Sequence, residues 1–329
     1  MSEYCAGLGY LRSFGRVLPW WLAIAVVLCF NPPPCRAETL SESGLETVPY
    51  RLSITPSQFL TVRGIARSTA RAATQGSLSY LDRPLSVVIP SAEPNGTRSH
   101  VVTGALVLEM AVARLWASGF DAGFGLGAHV YQFGEGWSAV SGQREQLPSF
   151  GGLDPLLEVG YRKLWGRTGL RALGAFYVPL GSPRALSGEK RPRGEIGLLV
   201  NQLWSRVEWG VELSFLYRPV IEVSEFAWGS QLKLAVAGRF RIIERLWAGP
   251  EFLFRPQLAR QPGAHHAVLL PSVLLAALAY RTEHAQLMAS YGVGLPLSRV
   301  SDEISKPRYV RAPTSPIQQL SLSLQFMLK

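Results

Sequence analysis

An alternation of apolar and polar residues over 207–218, interrupted only by Leu216, constrains the fold of this chain more than any other feature. One face of this stretch is apolar, with Val207, Trp209, Val211, Leu213, Phe215 and Tyr217. The opposite face is mostly charged or small, with Glu208, Gly210, Glu212, Ser214 and Arg218. A period of two is that of a β-strand, whose successive side chains point to opposite faces. The stretch is longer than the usual five or six residues of a soluble strand and matches the roughly 9–11 tilted residues that cross a bilayer.

The composition is typical of strands that cross a membrane. Hydrophobic residues make up 47% of the chain, and only 17% of residues are charged, against about 25% in soluble domains. Beyond the N-terminal leader the sequence contains no run of roughly 18 apolar residues, the length that a membrane helix needs. Apolar residues that are spread as alternation predict a transmembrane β-barrel.

Residues 1–37 predict a secretory signal peptide. Arg12 and Arg16 precede an apolar run over 17–30, and the small residue Ala37 marks the expected cleavage position. The alternative is a retained N-terminal anchor helix, for which the apolar run is short. The cysteines of the chain all lie in this leader: Cys5, Cys29 and Cys35. We therefore expect a mature chain without disulfides, thiolate metal sites or cysteine nucleophiles.

Residues 38–72 carry no strong alternation, and two interpretations of them remain open. The first is a solvated periplasmic lead-in segment before a barrel at 73–329. The second rests on Arg63, Arg67 and Arg71, whose spacing places them on one face of a helix. It predicts a basic segment folded into the mouth of the barrel.

Strand candidates follow one another through the rest of the chain. They lie at roughly 74–90, 100–115, 119–133, 152–165, 168–180, 194–205, 207–218, 230–243, 245–256, 267–281, 284–297 and 316–328. Short links alternate strictly with long polar connections at 91–99, 134–151, 181–193, 219–229, 257–266 and 298–315. Outer-membrane barrels have this layout, with tight turns on the periplasmic side and long loops outside. We predict an all-β fold, a transmembrane antiparallel β-barrel of about 12 strands with short periplasmic turns and long extracellular loops.

Aromatic residues cluster at the predicted strand ends. Those beside the short turns are Trp116, Trp165, Trp204 and Trp247, and those near the long loops are Tyr131, Phe133, Tyr177, Tyr217 and Phe254. Tryptophan and tyrosine are enriched at both membrane–water interfaces. The pattern predicts two aromatic girdles, and ordinary core aromatics are the alternative.

Charged residues within the strands are expected to face the lumen. The candidates for lumen-facing positions are Arg114, Asp121, Glu158, Arg162, Glu208, Glu212, Lys233, Arg239 and Arg241. The same face is expected to carry Glu109, Asp154, Arg171, Glu195, Glu251, Arg255 and Arg281. On the lipid side such a charge costs about 2–4 kcal/mol near the midplane. Acids and bases roughly balance, which fits either a lumen filled by ion pairs or a wide pore.

A catalytic site is not specified by these residues. A barrel hydrolase needs a Ser–His pair and a third group that orients the base, and His129 with Ser214 or Ser290 is the open possibility. We predict no enzymatic activity, no cofactor and no metal site.

Several stretches give the chain a resemblance to a known family. They are SLSYLDRPLSVV at 77–88, LPSFGGLDPLLEVGYRKL at 147–164, FYVPLG at 176–181, PRGEIGLLVNQLWSRVEWGVELSFLYRP at 192–219 and GVGLPLS at 292–298. The chain resembles the N-terminal barrel of OmpA-type outer-membrane proteins of myxobacteria, over about 60 to 329. The resemblance implies an outer-membrane barrel without catalytic residues. That family often carries a peptidoglycan-binding domain after the barrel, and this chain stops at Lys329, so we expect no wall anchor.

These observations predict a protein of the Gram-negative outer membrane, secreted through the inner membrane by its signal peptide. The leading hypothesis is a structural barrel or passive channel for small solutes. The alternatives are a surface-interaction protein acting through loops 134–151 and 298–315, and a barrel-type lipid hydrolase. We expect outer-membrane lipid, lipopolysaccharide and the barrel assembly machinery as partners, and no nucleic acid.

Overall fold

The computed structural model describes residues 59–63, 71–89, 97–136, 146–223, 226–258, 266–301, 308–310 and 315–328. Its main feature is a barrel wall in which the strands follow one another in chain order. The strands are β1 (Ala72–Ile89), β2 (Thr97–Leu115), β3 (Phe120–Phe133), β4 (Leu156–Trp165), β5 (Thr168–Tyr177), β6 (Arg193–Leu203), β7 (Val207–Tyr217), β8 (Gln231–Ile243), β9 (Leu246–Phe254), β10 (Ser272–Arg281), β11 (Ala285–Gly294) and β12 (Gln318–Leu328). The predicted all-β fold and its twelve strands are confirmed.

The wall closes because the last strand pairs with the first. β12 runs antiparallel to β1, from Leu328 opposite Ala72 to Gln318 opposite Asp82, and it pairs with β11 on its other side. Neighbouring strands around the rest of the wall are also antiparallel. A closed wall leaves no edge with unpaired backbone groups, which is the condition for a sheet surrounded by lipid.

Short and long connections alternate around the barrel, as the sequence predicts. The short links are residues 116–119, 166–167, 204–206, 244–245 and 282–284. Gly119 in the first link has a φ of +96°, and a Cβ there would lie 2.4 Å from the carbonyl oxygen of Arg162. Only glycine fits this turn, because both the backbone conformation and the space exclude a side chain.

The long loops contain short elements of their own. Ile221–Val223 and Phe226–Trp228 form a hairpin, and His266–Val268, Ser298–Ser301 and Arg308–Val310 form a small sheet. Gly151–Gly152 pairs with β3, and Pro183–Ala185 is a 3₁₀ turn. No helix in the described ranges is long and apolar enough to cross a membrane.

The strands present an apolar face outward, and most of them carry polar side chains on the inward face. On β12 the exposed side chains are Leu320, Leu322, Leu324 and Phe326, and the buried ones are Gln319, Ser321, Ser323 and Gln325. Exposed leucines beside buried polar groups reverse the pattern of a soluble protein. The outer face is therefore suited to lipid.

The predicted aromatic girdles are present in part. Trp116, Trp165 and Trp204 are exposed at the short links, and Tyr131 and Phe133 are exposed near the long loops. These five side chains lie at the two ends of the outer face, where aromatic residues meet the membrane–water interface.

The girdle predictions for Trp247 and Tyr177 are wrong, because both side chains are buried inside the barrel. The guanidinium of Arg281 lies 4.8 Å from the ring centroid of Trp247, and that of Arg193 lies 4.5 Å from the ring of Tyr177. Both aromatics fall on the inward-facing register of their strands. They serve there as cation–π partners for Arg193, which is buried, and Arg281, which is half-buried.

Candidate functional site

A short piece of chain lies inside the barrel, far in sequence from the strands that it touches. All five residues of Phe59–Arg63, here called the lumen segment, are buried. The backbone amides of Leu60 and Thr61 donate to Oε2 of Glu251, at 2.9 and 2.8 Å. The Thr61 hydroxyl donates to the same oxygen at 3.0 Å. One carboxylate on β9 therefore satisfies three donors of the segment.

Arg63 anchors the other end of the lumen segment. Its backbone amide donates to Oε2 of Glu212 at 2.8 Å, and its guanidinium forms an ion pair with Glu195. Its Nε lies 3.7 Å from Oε2 of Glu158 and 3.8 Å from Oε1 of Glu212. Burial lowers the pKa of this guanidinium, but Glu195 and Glu212 outweigh burial and raise the pKa well above its ordinary value. Arg63 is therefore a permanent buried cation.

Apolar contacts also hold the lumen segment against the wall. Phe59 and Val62 belong to one buried cluster with wall residues that include Leu173, Leu199, Ala235, Ala237 and Leu253. A Cβ at Gly210 of β7 would lie 2.9 Å from the ring of Phe59 and 3.3 Å from Cγ1 of Val62. Gly210 therefore makes room for the segment, because any larger residue would meet Phe59.

The interpretation of residues 38–72 as a solvated periplasmic lead-in is wrong for Phe59–Arg63. These residues lie within the barrel because their amides and Arg63 find carboxylate partners on the wall, as the alternative basic-segment hypothesis predicts in part. β1 begins at Ala72. Arg67, the other residues of 38–58 and 64–70, and the predicted signal peptide at 1–37 lie outside the described residues.

Buried ion pairs line the wall that faces the lumen segment. Arg171 of β5 donates through Nε to Asp121 at 3.0 Å and through Nη2 to Glu158 at 2.8 Å. Lys233 of β8 donates to Glu212 at 2.7 Å. Each cation bridges strands of the wall, and each acid that holds the segment also holds a wall cation or hydroxyl.

Glu195 shows this double use most fully. Besides Arg63, it accepts hydrogen bonds from the Ser214 hydroxyl at 2.6 Å and from the Tyr177 hydroxyl at 3.0 Å. Further towards the short turns, Glu251 pairs with Arg239, whose guanidinium lies 5.3 Å from the ring centroid of Phe59.

Residues 185–189, in the loop between β5 and β6, are buried at the long-loop end of the barrel. Asp154 accepts from the backbone amides of Gly181 and Glu189 at 2.8 and 3.0 Å, and from Nη2 of Arg193 at 2.9 Å. Arg218 donates through Nε to both carboxylate oxygens of Glu189 at 2.9 Å. The loop between β5 and β6 is thus fixed inside the barrel by charge-assisted bonds.

The structure places most of the predicted lumen-facing residues in the interior. Asp121, Glu158, Glu208, Glu212, Lys233 and Arg239 are buried. Arg162 is half-buried and Arg241 is exposed at the short-turn end. These two lie directly opposite Arg171 and Trp247, which are buried, so they share the interior register.

The prediction for Arg114 is wrong. Arg114 is exposed and shares its face of β2 with Met110 and Val112, whereas Glu109 lies on the buried face. A charge on the outer face costs only about 0–1 kcal/mol near the interface. Arg114 is next to the first short link, so the free-energy cost of a charge at the membrane midplane does not apply to it.

Sequence reasoning missed the lumen segment as a binding element. Its partners are 149 and 191 positions away for the amides of Arg63 and Leu60, and no local pattern marks such contacts. The one available signal was a surplus of basic residues in a stretch without strand alternation.

The hydrolase alternative finds no support at His129 or Ser214. Ser214 is bonded to Glu195, and Nδ1 of His129 lies 2.6 Å from Oε1 of Gln132 and 3.4 Å from Oγ of Ser187. A catalytic histidine uses opposite ring nitrogens for the serine and the orienting group, and here both contacts are on Nδ1. Ser290 is buried on β11. In the described part of the chain, no group of His, Asp or Glu is arranged to hold a metal ion.

The loops proposed for surface interaction are only partly described. Residues 137–145, 302–307 and 311–314 of these two loops lie outside the described residues, so the interaction hypothesis remains a prediction.

Comparison with solved structures identifies the architecture. An outer membrane channel from Pseudomonas putida F1 matches with a TM-score of 0.56 and 10% sequence identity, over 80% of this chain and 97% of that chain. The NanC porin and the KdgM porin match with TM-scores of 0.43 and 0.44 and identities of 11% and 8%, each over 78% of this chain and 99% of theirs. No protein-family model and no curated protein sequence matches the chain.

The chain has the fold of outer-membrane β-barrel proteins, a class that the closed wall and its apolar outer face define. The resemblance to the OmpA-type proteins of myxobacteria is supported only at this level, and the narrower family remains a prediction.

Proposed function

We propose that this protein is an outer-membrane channel for small solutes whose lumen is closed, in the conformation described here, by the lumen segment. The observation that carries the proposal is the seat of Phe59–Arg63 in the middle of the barrel, bonded to Glu251, Glu212 and Glu195. The similar barrel from Pseudomonas putida is itself a channel, which supports a channel role for this wall. We further propose that residues 1–37 direct secretion as a signal peptide.

The lumen segment is bound in a way that allows it to leave. The amides of Leu60, Thr61 and Arg63 donate to carboxylate side chains and not to the backbone of a strand. Its displacement therefore breaks side-chain contacts and leaves the hydrogen bonds of the wall intact. An acid that loses a segment donor keeps its wall partner, such as Lys233 for Glu212.

The same dense packing supports a second candidate, a purely structural barrel in which the segment never leaves. Breaking one partner out of a buried charge pair costs about 3–5 kcal/mol, so such pairs resist rearrangement. The two candidates differ in conductance, since a permanent plug blocks ions whatever the conditions.

The test is conductance in planar bilayers after Gly210→Leu. The added side chain meets Phe59 and Val62, so we expect it to expel the lumen segment and to give steady conductance, against brief or absent openings of the wild type. Gly238→Leu is the matched control, because Gly238 is next to the pairing partner of Gly210 and its Cβ would meet no atom within 4 Å.

A folded Gly210→Leu barrel that conducts no more than the wild type would contradict the gated channel and favour the structural barrel. Folding of both variants is checked by the shift of the gel band on heating, which reports a closed barrel. Failure of all three proteins to enter the bilayer would contradict the membrane assignment itself.

A further inference from the structure

Three successive short links carry the same pair of side chains on the outside of the barrel. Each pair is a basic residue two positions from an exposed tryptophan, namely Arg114 with Trp116, Lys163 with Trp165, and Arg206 with Trp204. The links join β2 to β3, β4 to β5 and β6 to β7, so the pairs are at the same end of the wall.

In one of these pairs the cation lies over the indole ring. Nζ of Lys163 lies 5.1 Å from the ring centroid of Trp165. At the fourth short link, Arg245 precedes the strand residue that pairs with Tyr280, whose side chain is exposed on the outer face. Four short links thus combine a cation with an amphipathic aromatic ring.

The charge of this end is strongly positive. Exposed basic residues at this end include Arg114, Lys163, Arg167, Arg206 and Arg245, and its exposed acids in the described part of the chain are Glu244 and Glu283. The excess of positive charge is spread around the wall and does not converge on one pocket, so it matches an anionic layer better than a single soluble ligand.

We propose that this short-turn rim binds the phosphate headgroups of anionic phospholipids in the membrane leaflet that it meets. The inference rests on the proposed membrane location. Indole rings sit at the headgroup level of a bilayer, and a guanidinium or ammonium beside them is placed for charge-assisted bonds to phosphate. Each basic residue near an anionic lipid surface strengthens binding by about fivefold.

The experiment measures lipid retention by the full chain. Purified protein is equilibrated in detergent with an equimolar mixture of phosphatidylglycerol and phosphatidylcholine, and the lipids that remain bound are counted by mass spectrometry. We expect the wild type to retain phosphatidylglycerol in preference. The triple variant Arg114→Gln, Lys163→Gln, Arg206→Gln is expected to lose at least about fivefold of that preference.

The matched control is Arg83→Gln, Arg184→Gln, Lys190→Gln, which removes three exposed positive charges at the long-loop end and is expected to behave as the wild type. Equal retention of the two lipids by the wild type would overturn the proposal, and so would an equal loss in both triple variants. If the protein still inserts into vesicles, either result would leave the membrane location unaffected. It would then favour an acidic protein as the partner of the rim.

Discussion

Two parts of the inner barrel wall differ in the side chains that they bury. The charged wall, on β4 to β9, carries buried acids and bases: Glu158, Arg171, Glu195, Glu208, Glu212, Lys233, Arg239 and Glu251. The neutral wall, on β11, β12 and β1, carries buried amides and hydroxyls: Gln286, Ser290, Gln319, Ser321, Ser323, Gln325, Gln75 and Ser77. The lumen segment makes its charge-assisted bonds to the charged wall.

The difference shows what decides the position of the lumen segment. On the neutral wall, hydroxyls bond across neighbouring strands, as Ser79 does to Ser321 at 2.8 Å. On the charged wall, acids removed from water need several donors each, and Glu251 obtains three of its donors from the segment. Bonds to ionised acceptors are roughly twice as strong as neutral ones, so the segment is held where the carboxylates are.

The largest effect is expected from Arg171→Met on the charged wall. It leaves the buried carboxylates of Asp121 and Glu158 without their shared cation, and breaking a buried pair costs about 3–5 kcal/mol. The free energy of unfolding in urea, measured in lipid vesicles, checks this. Arg184→Met, at an exposed loop position, is the control and should change it by less than about 0.5 kcal/mol. Similar values for both variants would remove the distinction between buried and exposed charge.

A smaller loss is expected from Glu251→Gln. The amide keeps one acceptor for the lumen segment but removes the charge that pairs with Arg239, so the free energy of unfolding should fall by about 1.5–3 kcal/mol. Channel openings should also become more frequent in planar bilayers. Glu244→Gln, in an exposed short link, is the matched control and should leave both the free energy of unfolding and the frequency of openings unchanged. More frequent openings in the control alone would show that Glu251 does not hold the segment.

The smallest effect is expected on the neutral wall, from Ser321→Ala. The variant loses the hydrogen bond to Ser79, and a neutral hydrogen bond contributes about 0.5–1.5 kcal/mol. The same unfolding measurement applies, with Ser205→Ala in an exposed link as control. A loss as large as that of Arg171→Met would break the comparison between the walls.

Most of the wall could be predicted because each strand repeats one local rule. Alternation over 207–218 fixes which side chains of β7 face inward, and the short links give the order of the strands. The prediction failed at Arg114 because it placed every charged strand residue in the lumen. The free-energy cost of a charge that faces lipid falls near the membrane–water interface, where Arg114 lies. The girdle prediction failed at Trp247 because an aromatic residue near a turn can also face inward and pack against an arginine of the lumen, here Arg281.

The site was less predictable than the wall. Period-two patterns report the face of a residue and carry no information about what fills the interior. The contact between Thr61 and Glu251 joins residues 190 positions apart, and Gly210 looks from sequence like any small residue in a strand. Only the three-dimensional arrangement shows that Phe59 fills the space that a side chain at position 210 would take.

The most direct test of the central claim is a disulfide between the lumen segment and the wall. Cγ1 of Val62, a position that the sulfur of a cysteine can take, lies 3.3 Å from the Cβ position of Gly210, so cysteines at 62 and 210 are within reach of a disulfide. The double variant Val62→Cys, Gly210→Cys is oxidised in isolated outer membranes, and its remaining free thiols are counted. The control pair is Val62→Cys, Gly238→Cys.

With Phe59–Arg63 seated in the lumen, the pair at 62 and 210 loses its thiols on oxidation, and the control pair keeps them. Free thiols in both folded variants, or equal crosslinking in the two, would contradict a lumen segment bound to the charged wall.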